Sequence, residues 1–182
     1  VGITPDPAQW FSITDIILDP NNPDRVWVSF SGSEQGTGEG RRVNFSGDGG
    51  SSWQDCSIGL KQEFPVHTLA YQEGSNDVIY AGTDVGVFYH DGPDMTSPWH
   101  CFHENMPIAP ITDLEISICA EKIRASTFGR GLWESDLAAP VSNWGDEIIT
   151  GNVTYSGKKL INKNIIIESG ASLIVDNTAI LN

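Results

Sequence analysis

One short pattern returns three times along this chain. Ile13-Thr14-Asp15-Ile16 is matched by Val66-His67-Thr68-Leu69 and again by Ile111-Thr112-Asp113-Leu114, first 53 and then 45 residues further on. A second apolar run follows each time: Val26-Trp27-Val28, Ile79-Tyr80-Ala81 and Ile123-Arg124-Ala125. A third follows that: Val43-Asn44-Phe45, Val87-Phe88-Tyr89 and Leu132-Trp133-Glu134. The runs are short, β-branched and aromatic, which is the composition of strands. Fourth strands are expected near Trp53 and Trp99, and none is evident after Trp133. Asp19-Pro20-Asn21-Asn22-Pro23-Asp24 separates the first two runs as a turn, because Pro fixes φ and Asn tolerates left-handed φ. The nearest approach to a helical segment, Glu115 to Ser126, has apolar residues that alternate or cluster, and a helix needs them every three to four.

Four short strands every ~40–50 residues is the period of a β-propeller blade. The fold expected is therefore all-β, a partial β-propeller of about three blades. Propellers close with roughly four to eight blades, so residues 1–137 are expected to be the C-terminal blades of a ring whose other blades lie elsewhere in a longer polypeptide. The missing fourth strand fits a ring closed by a strand borrowed from another part of the chain. The extra length of the first repeat falls in Ser31 to Gly40, an expected surface loop. Ala138-Ala139-Pro140 opens a linker over 138–147, and residues 148–182 are expected to begin a second β-domain, a solenoid or a small sandwich. Val1 is not followed by a charged-then-apolar leader and the chain stops just after Leu181, so a processed product or fragment is expected.

Charge excludes several functions. Lys plus Arg number 10 against 24 Asp plus Glu, a formal charge of −14. Nucleic acid needs a positive footprint, and an anionic membrane surface is disfavoured for the same reason. No apolar run approaches the length of a membrane span. The three cysteines, Cys56, Cys101 and Cys119, form no CxxC pair, and an odd number excludes a complete intramolecular disulfide set. They are read as buried small hydrophobes, with one bridge plus a free thiol as the alternative.

The most specific motif is Ser46-Gly47-Asp48-Gly49-Gly50-Ser51-Ser52-Trp53, of the form S-x-D-x-G-x-S-W, in hairpin position after the third run. An Asp in a tight turn accepts hydrogen bonds from the N–H groups around it, Gly supplies positive φ, and the Trp returns to pack on the sheet edge. This resembles the Asp-box of the BNR repeat, found in sialidases, sortilin-like propellers and xyloglucanase-like hydrolases. The resemblance implies that Ser46, Asp48, Gly50, Ser52 and Trp53 form a structural staple on an outer hairpin. The other repeats keep only fragments of it, such as Tyr89-His90-Asp91-Gly92. Asp19 to Pro23, Tyr80 to Phe88 and Thr127-Phe128-Gly129-Arg130-Gly131-Leu132-Trp133-Glu134 are similar to segments of large secreted Bacteroidetes proteins. By that kinship the chain is expected to be secreted or cell-surface and exported by type IX secretion. Its implied partners are the remaining blades, a glycan or surface protein, and the secretion machinery.

The candidate binding residues are Asp15, Asp84, Asp113 and Trp27, with Glu115 a further carboxylate. Asp15 and Asp113 occupy equivalent places, which either aims both at one face or sets both into joints between blades. A glycoside hydrolase would need two carboxylates facing one another across a sugar. No catalytic residue is assigned, and a xyloglucanase-like hydrolase with its carboxylates in other blades is the alternative to a non-catalytic binding or adhesion protein. Arg130 is expected to bind a neighbouring blade's carboxylate or carbonyls. His100 and His103 would not share one strand face, and no metal site is expected. No phosphate-cradling loop or redox motif calls for a cofactor.

Overall fold

The computed structural model describes residues 12–31, 42–60, 64–139, 147–156, 158–159, 165–176 and 180–181. The expected loop at Ser31 to Gly40 falls, beyond Ser31, outside these residues, as does Trp10. Two compact units divide the chain, Val1–Val141 and Ser142–Asn182.

The fold is all-β. In the first unit, β1 (Ser12–Asp19), β2 (Asn22–Ser31), β3 (Val43–Ser46) and β4 (Gln54–Asp55) form one antiparallel sheet in chain order. A second sheet takes β5 (Val66–Gln72), β6 (Val78–Thr83), β7 (Gly86–His90) and β8 (His100–Cys101) in the same order. A third holds β9 (Ile111–Ser117), β10 (Lys122–Thr127) and β11 (Gly131–Asp136). Each sheet is an up-and-down meander, and each coincides with one sequence repeat. The segment Glu115 to Ser126 is strand, a single 3-10 turn at Ile118–Ala120, and strand again.

The repeats agree in register down to their irregularities. In each first strand one residue is left unpaired by a bulge: Thr14, between Ile13↔Phe30 and Asp15↔Ser29; His67, between Val66↔Thr83 and Thr68↔Gly82; and Thr112, between Ile111↔Thr127 and Asp113↔Ser126. A bulge kinks the strand and re-aims the extra side chain. All three lie at the end of the sheets that carries the β6–β7 and β10–β11 hairpins.

Apolar side chains between successive sheets form two cores. One gathers Trp27, Val43, Leu69, Ile79 and Trp99, and the other Tyr80, Val87, Ile111, Leu114 and Ile123. The second and third sheets come close at Gly82, where an added Cβ would lie 2.7 Å from Ile111 Cγ2 of the third sheet and 2.7 Å from Thr68 Cγ2 of its own. Trp27 is fully buried beside Phe45 and Tyr71 (ring centroids 5.0 and 5.5 Å), under the guanidinium of Arg25.

The second unit pairs differently. β12 (Glu147–Ile149), β13 (Asn152–Tyr155) and β14 (Lys158–Lys159) pair, in order and in parallel, with β15 (Ile165–Ile167), β16 (Ser172–Val175) and β17 (Ile180–Leu181). Partners lie 18, 20 and 22 residues apart in the chain. Ile149 and Tyr155 are its buried side chains among the described residues. Parallel pairing in this order differs from the hairpin pairing of a small antiparallel sandwich.

Gly82→Ala tests the close approach between the second and third sheets. Overpacking at such a contact costs about 1–3 kcal/mol, so the expected outcome is a lower midpoint in urea. A midpoint unchanged from wild type would mean that the sheets are not in contact there.

Candidate functional site

The bulge row brings most of the predicted site residues to one end of the sheets. Thr14 Oγ1 lies 2.8 Å from Ser29 Oγ and donates to the Val66 carbonyl of the next sheet at 2.7 Å. Asp15 uses both oxygens. Its Oδ1 accepts from the Ile16 N–H at 2.8 Å, and its Oδ2 accepts from the Leu69 N–H at 2.8 Å and the Thr68 hydroxyl at 3.2 Å. Asp15 is therefore a joint between two sheets, the second of the two roles its repeat position allowed. His67 Nε2 lies 2.7 Å from Asp84 Oδ1, both side chains partly open to solvent.

The third sheet repeats the inner half of the first. Thr112 Oγ1 lies 2.8 Å from Ser126 Oγ, and Asp113 Oδ1 accepts from the Leu114 N–H at 2.9 Å. Asp113 and Thr112 are exposed, and Glu115 is exposed on the same strand. Beside them the β10–β11 hairpin holds out Phe128 and Arg130. Arg130 works here through its backbone: its N–H donates to Thr127 Oγ1 and its carbonyl accepts from Trp133 Nε1. Its side chain is exposed.

Trp27 is corrected by the structure. With no exposed surface and its Nε1–H donating to Met95 Sδ at 3.3 Å, it is a core side chain between sheets and offers no open platform. The cysteine reading is corrected in part. Cys56 is buried, where burial raises its thiol pKa strongly, whereas Cys101 and Cys119 are exposed and all three are free. Cys101 Sγ lies 3.4 Å from the His103 ring nitrogens and lines a pocket of about 590 Å³ between the second and third sheets. No cluster of three or more metal-binding side chains occurs among the described residues.

The opposite end of the sheets is closed by Asp turns. In the predicted staple, Asp48 Oδ1 accepts from the Ser46 hydroxyl and the Ser52 N–H, both at 2.8 Å, and Oδ2 from the Ser52 hydroxyl at 2.6 Å. Ser46 Oγ accepts from the Gly50 N–H at 2.8 Å, and Trp53 Nε1–H reaches the Gly50 carbonyl at 3.1 Å. Gly50 has φ of +89°. The Ser52 and Ser46 hydrogen bonds hold the Asp48 pKa down at about 2.

The sequence reading missed a second turn of this kind. In the equivalent hairpin, Asp94 Oδ1 accepts from the Thr96 N–H at 2.9 Å and its hydroxyl at 2.5 Å, and Trp99 follows. The signal was Asp94-Met95-Thr96-Ser97-Pro98-Trp99, with the hydroxyl two places after the Asp where the first turn has it at four. His90 stands where the first turn has Ser46, and it is buried against Trp99 at 5.7 Å. Burial lowers its pKa, outweighing the favourable Asp94 and Ser97 carbonyls.

Comparison of the chain with protein-family models and with curated proteins returns no match in either.

Two outcomes are expected. Asp15→Ala leaves the Leu69 N–H without its carboxylate, and losing bonds to a charged acceptor costs about 1–3 kcal/mol in a denaturant titration. His90, with its folded pKa below the unfolded value of 6.5, takes up its proton more readily when unfolded. Stability should be full above that pH and fall as pH drops through it, and in His90→Gln that part of the pH dependence should vanish from thermal melts.

Proposed function

We propose that residues 12–137 are consecutive blades of an Asp-box β-propeller and that the protein is a non-catalytic, secreted or cell-surface bacterial binding protein. The observation that carries this reading is a matched pair of uncovered faces. Ile16 of the first sheet is 54% exposed, while its counterparts Leu69 and Leu114 are 4% and 5% exposed under a preceding sheet. At the other end Leu132 is 69% exposed, while its counterparts Val43 and Val87 are 0% and 4% exposed under a following sheet. Uncovered apolar faces at both ends of a stack of equivalent meanders are what a segment of a ring presents. The remaining blades of the same polypeptide are their partners in this reading.

The binding face is the bulge row. It carries the His67–Asp84 pair, the open Thr112 and Asp113, and the exposed ring of Phe128. Hydroxyl, carboxylate and aromatic groups at one end suit a glycan or a polar protein surface. Asp15 and Asp84 are held in bonds within the fold, which disfavours them as a hydrolytic pair. Export by type IX secretion rests on the sequence resemblance alone. In the second unit, ordered parallel pairing about every 20 residues suits successive turns of a β-solenoid, a stalk-like element after the propeller.

Electron microscopy of the intact secreted protein should show a closed ring, and an open stack would end the propeller reading. On a glycan array the intact protein should bind, and Asp113→Ala with His67→Ala should weaken that binding about tenfold. Hydrolysis of a bound glycan, or binding indifferent to both changes, would overturn the assignment.

A further inference from the structure

The two joints between successive sheets are built from equivalent positions, and one of them lacks a part. Register makes Val43 and Phe45 of the first sheet the counterparts of Val87 and Tyr89 of the second. The loops beyond β4 and β8 match as well. Cys56 N–H donates to the Val43 carbonyl at 3.0 Å as Phe102 N–H does to that of Val87 at 2.8 Å, and Leu60 bonds Ser57 as Met106 bonds His103. Across each joint, Ile79 and Ala81 correspond to Ile123 and Ala125.

In the first joint the space between these walls is filled by Trp99. Its ring is buried, its Nε1–H donates to the Cys56 carbonyl at 2.6 Å, and Met95 packs alongside. Both residues come from the segment that leads into β8, the strand at the outer edge of the second sheet. In the second joint the same walls, Val87, Tyr89, Phe102 and Met106 against Ile123 and Ala125, enclose the pocket of about 590 Å³. Trp133 stands at its side, and β11 has no outer neighbour among the described residues.

We propose that this pocket is a receptor for the indole of a tryptophan carried on an extended segment that pairs with the free edge of β11. The indole N–H is donated to the Phe102 carbonyl, as that of Trp99 is to Cys56. Edge pairing supplies main-chain bonds and the pocket supplies side-chain selection, the logic of β-strand addition. The rings of Tyr89 and Phe102, edge to face at 5.6 Å, give the pocket an aromatic wall. The occupant is a strand from the remaining repeats of the same polypeptide, so the inference rests on the propeller reading.

The test is fluorescence anisotropy of a labelled synthetic peptide of residues 94–103, with Ser in place of its cysteine, titrated with the whole 182-residue chain. Saturable binding is expected, weakened at least tenfold by Trp99→Ala in the peptide, a comparison that leaves the folded chain untouched. Ala125→Trp in the chain, which fills the pocket, should have the same effect. No saturable binding, or equal binding of the Ala peptide, overturns the proposal. Free indole binding as tightly as the peptide would overturn the strand and leave a small-molecule site. The ring reading fails separately: a closed ring in the intact protein with no indole in this cleft overturns the receptor alone, and peptide binding by a protein that forms no ring overturns only the source assigned to the strand.

Discussion

The approach of each innermost strand to the sheet before it governs the first unit. A meander of three or four short strands has two apolar faces and too little core of its own, so it is stable only when neighbours cover it. Gly82 lets Ile111 come in where any side chain would collide. In the joint before it, between the first and second sheets, Asp15 makes the tie by accepting from the main-chain N–H of Leu69. At the other end of the same joint Arg25 joins Asp19 of its own sheet to Asp77 of the next, at 3.1 and 2.5 Å. The apolar fill between these two polar clamps is Trp27, Ile79 and Trp99.

This packing also decides where polar chemistry can appear. The bulges that let the inner strands curve past one another turn Thr14, His67 and Thr112 toward one end of the sheets. That end collects hydroxyls and carboxylates as a by-product of how the sheets nest. The far end is occupied by Asp48 and Asp94, whose bonds are spent on their own turns. One end of the stack is thus closed by turns, and the other carries exposed side chains, Asp113 and Thr112 among them.

Much of the fold was legible because strand patterning and turn chemistry are local. The three repeats, their order and the hairpin at Asp48 follow from alternation, Gly placement and one eight-residue motif. What sequence could not resolve depended on partners distant in the chain. Asp15 and Asp113 look alike as residues, yet one is a joint and the other is open, and the difference is the sheet beside them. Trp27 is fixed as a core side chain only once its neighbours are known. Cys101 occupies the place that Asp55 has in the first repeat, so a strand edge exposes it although its residue type suggests burial. The Asp94 turn escaped notice because its hydroxyl partner is two residues away, which satisfies the same carboxylate through a shorter loop.

The turn at Asp48 has a kinetic consequence. The side-chain bonds of Ser46, Asp48, Ser52 and Trp53 close within residues 46–53, with the Gly49 N–H reaching out to the Asp24 carbonyl at 2.8 Å, and hairpins held by such short-range contacts form in about 1–10 μs. Contacts between sheets span some 50 residues, as from Asp15 to Leu69, and wait for a longer stretch of chain to close. Folding should therefore proceed hairpin first and joint second. Each meander can be laid down as it becomes available and then docked on its predecessor, so the order of assembly follows the order of the chain.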